Sequence, residues 1–247
     1  MLSVSVVSHG QGPLVAALLG DLVEIARVTP LEVILTNNLP SGGITELPTG
    51  LSGQIIDNPV PLGFGHNHNQ ALALARGTHV CVLNPDIRLT ENPFPALLRE
   101  ADRTGVGLVA PAILSAALAV EDSARRFPTP WSLLRRRTGG DDGRYRYAHG
   151  DAPTPVDWVA GMFMLARTEA YRAVGGFDQR YFLYCEDIDL CARMWRSRRS
   201  VMLCPAVAAI HDARRDSHRQ MKFLRWHAAS YLRYFATHWL RPVRQQQ

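Results

Sequence analysis

The chain has little of what would place it in a membrane, a secreted scaffold or a repeat array. None of its apolar stretches is long enough to cross a bilayer. The opening MLSVSVVSHG enters a strand-like alternation without a basic leader or cleavage site, so no secretory signal is expected. Only four cysteines are present, Cys81, Cys185, Cys191 and Cys204, all in apolar segments and without metal-ligand spacing. That argues against a zinc module and a disulfide framework, and predicts reduced core thiols in a cytoplasmic protein. There is no internal repeat. The arginines are unaccompanied by any nucleic-acid recognition motif, so no nucleic-acid partner is expected.

What is present describes a globular chain of 247 residues, 47% apolar and 20% charged, enough for one large α/β domain or two small ones. Strand-like segments at Leu2–Val7, Glu32–Thr36, Gln54–Asp57, His79–Leu83 and Val106–Ala110 alternate with helix-like ones at Leu14–Val28, Asn67–Arg76 and Pro95–Arg103. This β-α-β order predicts a mostly parallel sheet covered by helices. Residues 115–155, rich in Pro, Gly and Arg, read as a long functional loop. Order returns with the strand-like VDWVAGMFMLART, residues 156–168, and the short helix EAYRAV.

The densest chemical signal is GGFDQRYFLYCEDIDLCARMWR, from Gly175 to Arg196. Asp178, Glu186, Asp187 and Asp189 stand there among aromatics, beside a glycine turn and where a loop enters a helix. Crowded carboxylates repel unless a cation, a helix N-terminus or a substrate proton offsets them. Asp187 and Asp189 are also what an ordinary first helical turn favours, and that reading stays open. A second acidic site follows the apolar run HVCVL at Asn84-Pro85-Asp86. Proline ends the strand there, and the C-terminal ends of strands are where open α/β sheets bind ligands. A carboxylate beside an amide suits a hard divalent cation shared with phosphate oxygens.

Taken together, VVSH (6–9), NPVPLGFGHNHNQALALARGTHVCVLNPD (58–86), VDWVAGMFMLART (156–168), GGFDQRYFLYCEDIDLCAR (175–193) and IHDARRDS (210–217) resemble the inverting family 2 glycosyltransferases of the GT-A fold, rhamnosyltransferase-like branch. The resemblance implies a Rossmann-like α/β domain over 1–212, with a nucleotide-binding half (1–111) and an acceptor and catalytic half (112–212). A basic helical extension follows over 213–247. It implies that Asp86, in an Asn-Pro-Asp form of the DxD element, and the late His211 hold Mg²⁺ or Mn²⁺, which neutralises charge on the departing diphosphate. By the same resemblance Asp187 of the ED pair is the general base and Glu186 shapes the acceptor site. Ser8, Asn37, Gly63, Gly65, Asn69 and Asn84 are matched to nucleotide-sugar contacts. Trp158, Gly161 and Asp178 are matched to the sugar and acceptor pocket. Where the family usually carries a base-binding aspartate this chain has Asn37, and Gly10 stands where Asn is common.

The function implied is metal-dependent sugar transfer, most simply of L-rhamnose from dTDP-rhamnose, to a saccharide or lipid-linked saccharide in bacterial surface polysaccharide (O-antigen) assembly. The alternative is a nucleotide-sugar-binding protein of the same fold with impaired catalysis. The net charge of +5 is concentrated in Arg135–Arg137 and a C-terminal segment from Arg214 to Arg244. Between Ser217 and Leu240 a helical pattern places Met221, Leu224, Ala228, Tyr231, Leu232 and Phe235 near one side, interleaved with Arg219, Lys222, Arg225 and Arg233. That pairing suits peripheral contact with an anionic inner-membrane face, or packing of the apolar side on the domain.

Overall fold

The computed structural model describes residues 1–39, 43–140, 142–211 and 221–238, excepting the side chains of Arg137 and of 221–224. Its strands are β1 (Leu2–Ser8), β2 (Leu31–Asn37), β3 (Ser52–Asp57), β4 (His79–Leu83), β5 (Ile87–Arg88), β6 (Val106–Ser115), β7 (Ala124–Arg125), β8 (Thr154–Pro155), β9 (Trp158–Val159), β10 (Phe163–Arg167) and β11 (Ser200–His211). The helices are α1 (Gly12–Ala26), α2 (Phe64–Ala73), α3 (Phe94–Ala101), α4 (Pro130–Arg137), α5 (Thr168–Ala173), α6 (Glu186–Arg196) and α7 (Met221–His238).

One sheet organises the chain, in the order β3-β2-β1-β4-β10-β6-β11-β5, with β8 beside β11. β3, β2, β1 and β4 are mutually parallel, as are β6 and β11. β10 lies antiparallel to both its neighbours. Six strands therefore share one direction, the mostly parallel arrangement the alternation predicts, with β10 reversed in its middle. β11 slips register between Cys204 and Ala208, where Pro205 offers no N–H to the ladder.

Burial explains these elements. α1 starts on Pro13 and buries Val15, Leu18, Leu19, Leu22 and Ile25 at helical spacing. With Phe94 and Leu97 of α3 they form a core on one sheet face. Ala71, Leu72, Tyr171, Leu190, Cys191 and Met194 form the other. The sheet is thus sandwiched between helical layers. In β1 the serines are buried as deeply as the valines, because Ser3 Oγ donates to Glu32 (2.6 Å) and Ser5 Oγ meets His68 Nδ1 (2.8 Å). All four cysteines are buried and free, as expected.

Two segments differ from the sequence reading. Residues 115–155 are not a structureless loop: they hold β7, β8 and α4, whose start is fixed by a reciprocal Thr129–Ser132 capping box. Residues 156–168 are two strands, β9 and β10, broken by a turn at Ala160–Met162.

Candidate active site

The six co-directional strands end at one edge, at Ser8, Asn37, Asp57, Leu83, Ser115 and His211. β10 runs the other way, so the turn preceding it reaches the same edge. That turn joins three segments. Ala160 N–H donates to the Ser123 carbonyl (2.8 Å), and Gly161 N–H to Asp187 Oδ2 (3.1 Å). The Met162 carbonyl accepts from Asn84 N–H (2.9 Å). Three consecutive residues thus tie together the three acid-bearing stretches around Glu121, Asp86 and Asp187.

Asp187 stands in the first turn of α6, with Glu186 before it. The chain enters that helix through two successive left-handed residues, Tyr184 (φ 73°) and Cys185 (φ 65°). For non-glycine residues this conformation costs about 1–2 kcal/mol each, and such strain gathers at functional sites. Asp187 Oδ1 accepts from Ile188 N–H (2.8 Å) and Oδ2 from Gly161, whose missing side chain leaves room for the Phe64 ring and Asp187 Cβ. Glu186 is buried, and its Oε2 has no partner. Burial raises the Glu186 pKa well above the usual carboxylate range, reinforced by the Asp187 charge. Burial raises Asp187 as well, opposed by the backbone donors at Ile188 and Gly161. Of the two, Glu186, buried and with its Oε2 unpartnered, is the harder to ionise, whereas Asp187 keeps two backbone donors.

Asp86 follows β4 in a turn closed by Ile87 N–H on the Asn84 carbonyl (3.2 Å). Its Oδ2 lies 3.3 Å from His211 Nε2, while His211 Nδ1 lies 2.7 Å from Glu121 Oε2. Asp86 and then Glu121 raise the imidazole, to about 9, against the effect of burial. Asp86 Oδ1 is buried and unpartnered. Among the described residues no group of three or more His, Cys, Asp or Glu side chains is arranged to hold a metal ion. A carboxylate with a spare oxygen still fits Mg²⁺ or Mn²⁺ when phosphate oxygens complete the shell, and His211 would join it by giving up its Nε2 proton. Glu121 is absent from the sequence reading, and nothing near it in sequence signals its meeting with His211.

The amide and glycine residues matched to nucleotide contacts also make contacts within the chain. The Asn37 amide donates to the Ile44 carbonyl (2.9 Å) and Asp57 Oδ1 (2.7 Å) and accepts from Ile44 N–H (3.2 Å), so its edge is filled by the chain itself. Asn69 clamps the other loop: it bonds both the N–H and the carbonyl of Phe177 and accepts from Tyr171 Oη (2.6 Å). Side chains at Gly63 and Gly65 would strike the Phe182 backbone and the Phe177 side chain. Their smallness admits the 177–182 loop. Ser8 is buried, with its carbonyl accepting from Asn38 N–H (2.8 Å).

In the expected sugar pocket, Asp178 is engaged by Arg180, which holds its carboxyl below the usual range. Trp158 packs beside Tyr181 and Ile188, with Nε1 donating to the Arg126 carbonyl (2.9 Å). The left-handed Gly175 (φ 80°) and Gly176 (φ 65°) turn the chain into this loop, and a side chain at Gly176 would meet Asn69 Oδ1.

The C-terminal helix corrects the expected apolar face. Among the described side chains of α7, Ser230, Tyr234 and His238 are buried, flanked by half-buried Tyr231 and Phe235, whereas Ala228 and Leu232 are exposed. Arg135 and Arg136 lie exposed on α4. Arg214, Arg219 and Arg244, the side chains of Arg137, Met221, Lys222 and Leu224, and residues 212–217 of the late motif lie outside the described residues. No described helix is long and apolar enough to cross a membrane.

No family model matches the chain. It is 30% identical to rhamnosyltransferase WbbL of Escherichia coli (strain K12), covering 96% of this chain and 93% of that protein. It is 26% identical to the N-acetylglucosaminyl-diphospho-decaprenol L-rhamnosyltransferase of Mycobacterium tuberculosis, over 85% of this chain and 76% of that one. Its fold superposes, with a TM-score of 0.72 and 15% identity, on GalNAc-T7 solved with UDP, GalNAc and Mn²⁺. That match covers 96% of this chain, which spans 47% of the larger protein.

Proposed function

Because the chain belongs to the rhamnosyltransferase-like branch of the family 2 glycosyltransferases, we propose that it moves L-rhamnose from dTDP-L-rhamnose, with inversion, onto a saccharide or polyprenyl-linked saccharide of bacterial surface polysaccharide. The observation carrying this reading is the Glu186–Asp187 pair, in which two backbone donors hold Asp187 as a half-buried carboxylate beside a buried neighbour that is harder to ionise. A base raised by burial works nearer neutral pH than an ordinary aspartate.

Asp187 removes the acceptor hydroxyl proton as that oxygen attacks the anomeric carbon. The bond to the diphosphate oxygen breaks on the opposite face, and its electron pair leaves with the nucleotide. One displacement inverts the anomeric centre. The residues that would hold Mg²⁺ or Mn²⁺ are Asp86, through its unpartnered Oδ1, and His211. When bound, the cation offsets negative charge on the departing diphosphate. Glu121 orients the His211 ring through Nδ1. The Tyr184–Cys185 turn fixes Asp187 relative to Gly161, so the base is positioned before substrate arrives.

The same reading places the enzyme at the inner membrane face, bound peripherally. Trp131 (67% exposed) and Leu134 flank Arg135 and Arg136 on α4, and Leu232 (72% exposed) stands near Arg233 on α7. Apolar side chains beside basic ones are the composition of interfacial contacts.

A thermal-shift panel of nucleotide sugars with and without Mn²⁺ tests the donor. A ligand that binds the folded state raises its melting temperature. dTDP-L-rhamnose with Mn²⁺ should give the largest shift, followed by slow release of dTDP. Binding without any release would instead favour the catalytically impaired binding protein. A larger shift with a UDP- or GDP-sugar would overturn the donor.

A further inference from the structure

Asp189, one residue beyond Ile188 in α6, is almost fully buried and is held from two sides. Its Oδ2 accepts from Arg193 Nε (2.8 Å), and Arg193 also donates to the Val174 carbonyl. Its Oδ1 accepts from Nε2 of His238 (2.7 Å), a buried residue contributed by the far end of α7. The other ring nitrogen, Nδ1, is buried without a partner, so the ring is committed to this contact alone among the hydrogen bonds described.

His238 closes a register that runs the length of α7. Trp226 stacks against Phe182 (4.7 Å between ring centroids) and His227 against Tyr184 (4.6 Å). Ser230 Oγ donates to the Leu183 carbonyl (2.8 Å), and Tyr234 packs with Tyr181, Cys185 and Ile188. Positions 226, 230, 234 and 238, one helical turn apart, thus follow the loop from Phe182 to Asp189. This loop contains the left-handed Tyr184–Cys185 pair, a conformation that persists only where surrounding structure enforces it.

From this register we propose that α7 is part of the catalytic centre and that His238 is a positioning residue, which fixes the first turn of α6 and thereby the reach of Asp187. The proposal rests on the reading of Asp187 as the base. Loss of the His238 donor leaves Asp189 paired with Arg193, so the fold survives while the acid-bearing turn gains freedom. Misplacement by a fraction of an ångström is enough to slow a proton transfer.

The test is Mn²⁺-dependent hydrolysis of dTDP-L-rhamnose by the full chain, with donor affinity from calorimetry and folding checked by thermal unfolding. His238→Leu keeps bulk and removes the donor; it should lower kcat by ~10- to 100-fold with KM and donor affinity unchanged. His238→Gln, whose side-chain N–H can reach Asp189, should restore most of that rate. Ser230→Ala, a smaller change at the same interface, should lower kcat ahead of KM if His238→Leu does not fold. A wild-type kcat in His238→Leu, or a His238→Gln as slow as His238→Leu, would overturn the proposal, as would an unaffected Ser230→Ala where His238→Leu fails to fold. Asp187→Asn is measured alongside. Full-rate hydrolysis by that variant sinks the base reading itself, whereas an inactive Asp187→Asn beside a full-rate His238→Leu sinks only the positioning.

Discussion

Along the shared strand edge, the asparagines below β1–β3 and the acids Asp86 and Glu186 beside β4 and α6 treat their side-chain oxygens in opposite ways. On the first side the amides close on one another. Asn58 Nδ2 donates to Asn38 Oδ1 (3.0 Å) and Asn67 Oδ1 (2.6 Å), and Asn38 and Asn67 both donate to the Leu62 carbonyl. On the second, Asp86 Oδ1 and Glu186 Oε2 are buried with no partner. A satisfied buried network rigidifies, whereas a buried carboxylate oxygen without a partner lowers stability and is open to a ligand or a proton. The asparagines set the loop geometry, while the acids keep oxygens free of protein partners.

The largest break in that comparison is Asp86→Asn. It should reduce Mn²⁺-dependent dTDP-rhamnose turnover to background while the melting temperature holds. EDTA-sensitive activity near the wild-type rate would reject Asp86 as the metal residue. On the scaffold side, Asn58→Ala leaves the buried Asn67 Oδ1 short of a donor, while Asn38 Oδ1 keeps the Leu62 N–H (2.8 Å). It should cost about 1–3 kcal/mol of stability in urea unfolding, the penalty of one unsatisfied buried group. A near-neutral result would show the network to be dispensable.

His68 sharpens the comparison through pH. Burial depresses its pKa to about 3, so the folded protein keeps it neutral where the unfolded chain protonates it. The unfolded state then binds more protons between the two pKa values, and stability is lost as pH falls below the unfolded value near 6.5. Between about pH 7 and pH 5 the loss from this one ring is about 2 kcal/mol. The difference in acid sensitivity between the wild type and His68→Gln isolates it from the carboxylates, and equal slopes would contradict the assignment. The smallest effect is expected for Glu186→Gln. If Glu186 already carries the proton, an amide of the same shape should change turnover by less than about tenfold. A loss matching that of Asp187→Asn would move the base to Glu186.

The fold was legible where periodicity and breakers agree. The Val-rich β1, the Pro13 start of α1, and Asn84-Pro85-Asp86 after β4 all stand where the sequence put them. α6 begins at Glu186, so both acids fall in its first turn as the sequence allowed. Other features were hidden because they depend on distant partners. The hydrogen bonds of Asn37 and Asn69 to Ile44, Asp57, Tyr171 and Phe177 join segments far apart in sequence, which spacing alone does not reveal. The face of α7 was misread because a serine and a histidine, Ser230 and His238, are buried there by hydrogen bonds to Leu183 and Asp189. Hydrophobic spacing cannot reveal a face buried for its polar contacts.

The most direct test of the account is Asp187→Asn, comparing turnover with donor binding. The substitution keeps the shape and removes the proton acceptor. Transfer should fall by roughly 10²–10⁴-fold, while calorimetric affinity for dTDP-L-rhamnose and Mn²⁺ stays at the wild-type value. A folded variant that transfers at the wild-type rate, or one that loses donor binding instead of turnover, would contradict the assignment of Asp187 as the base.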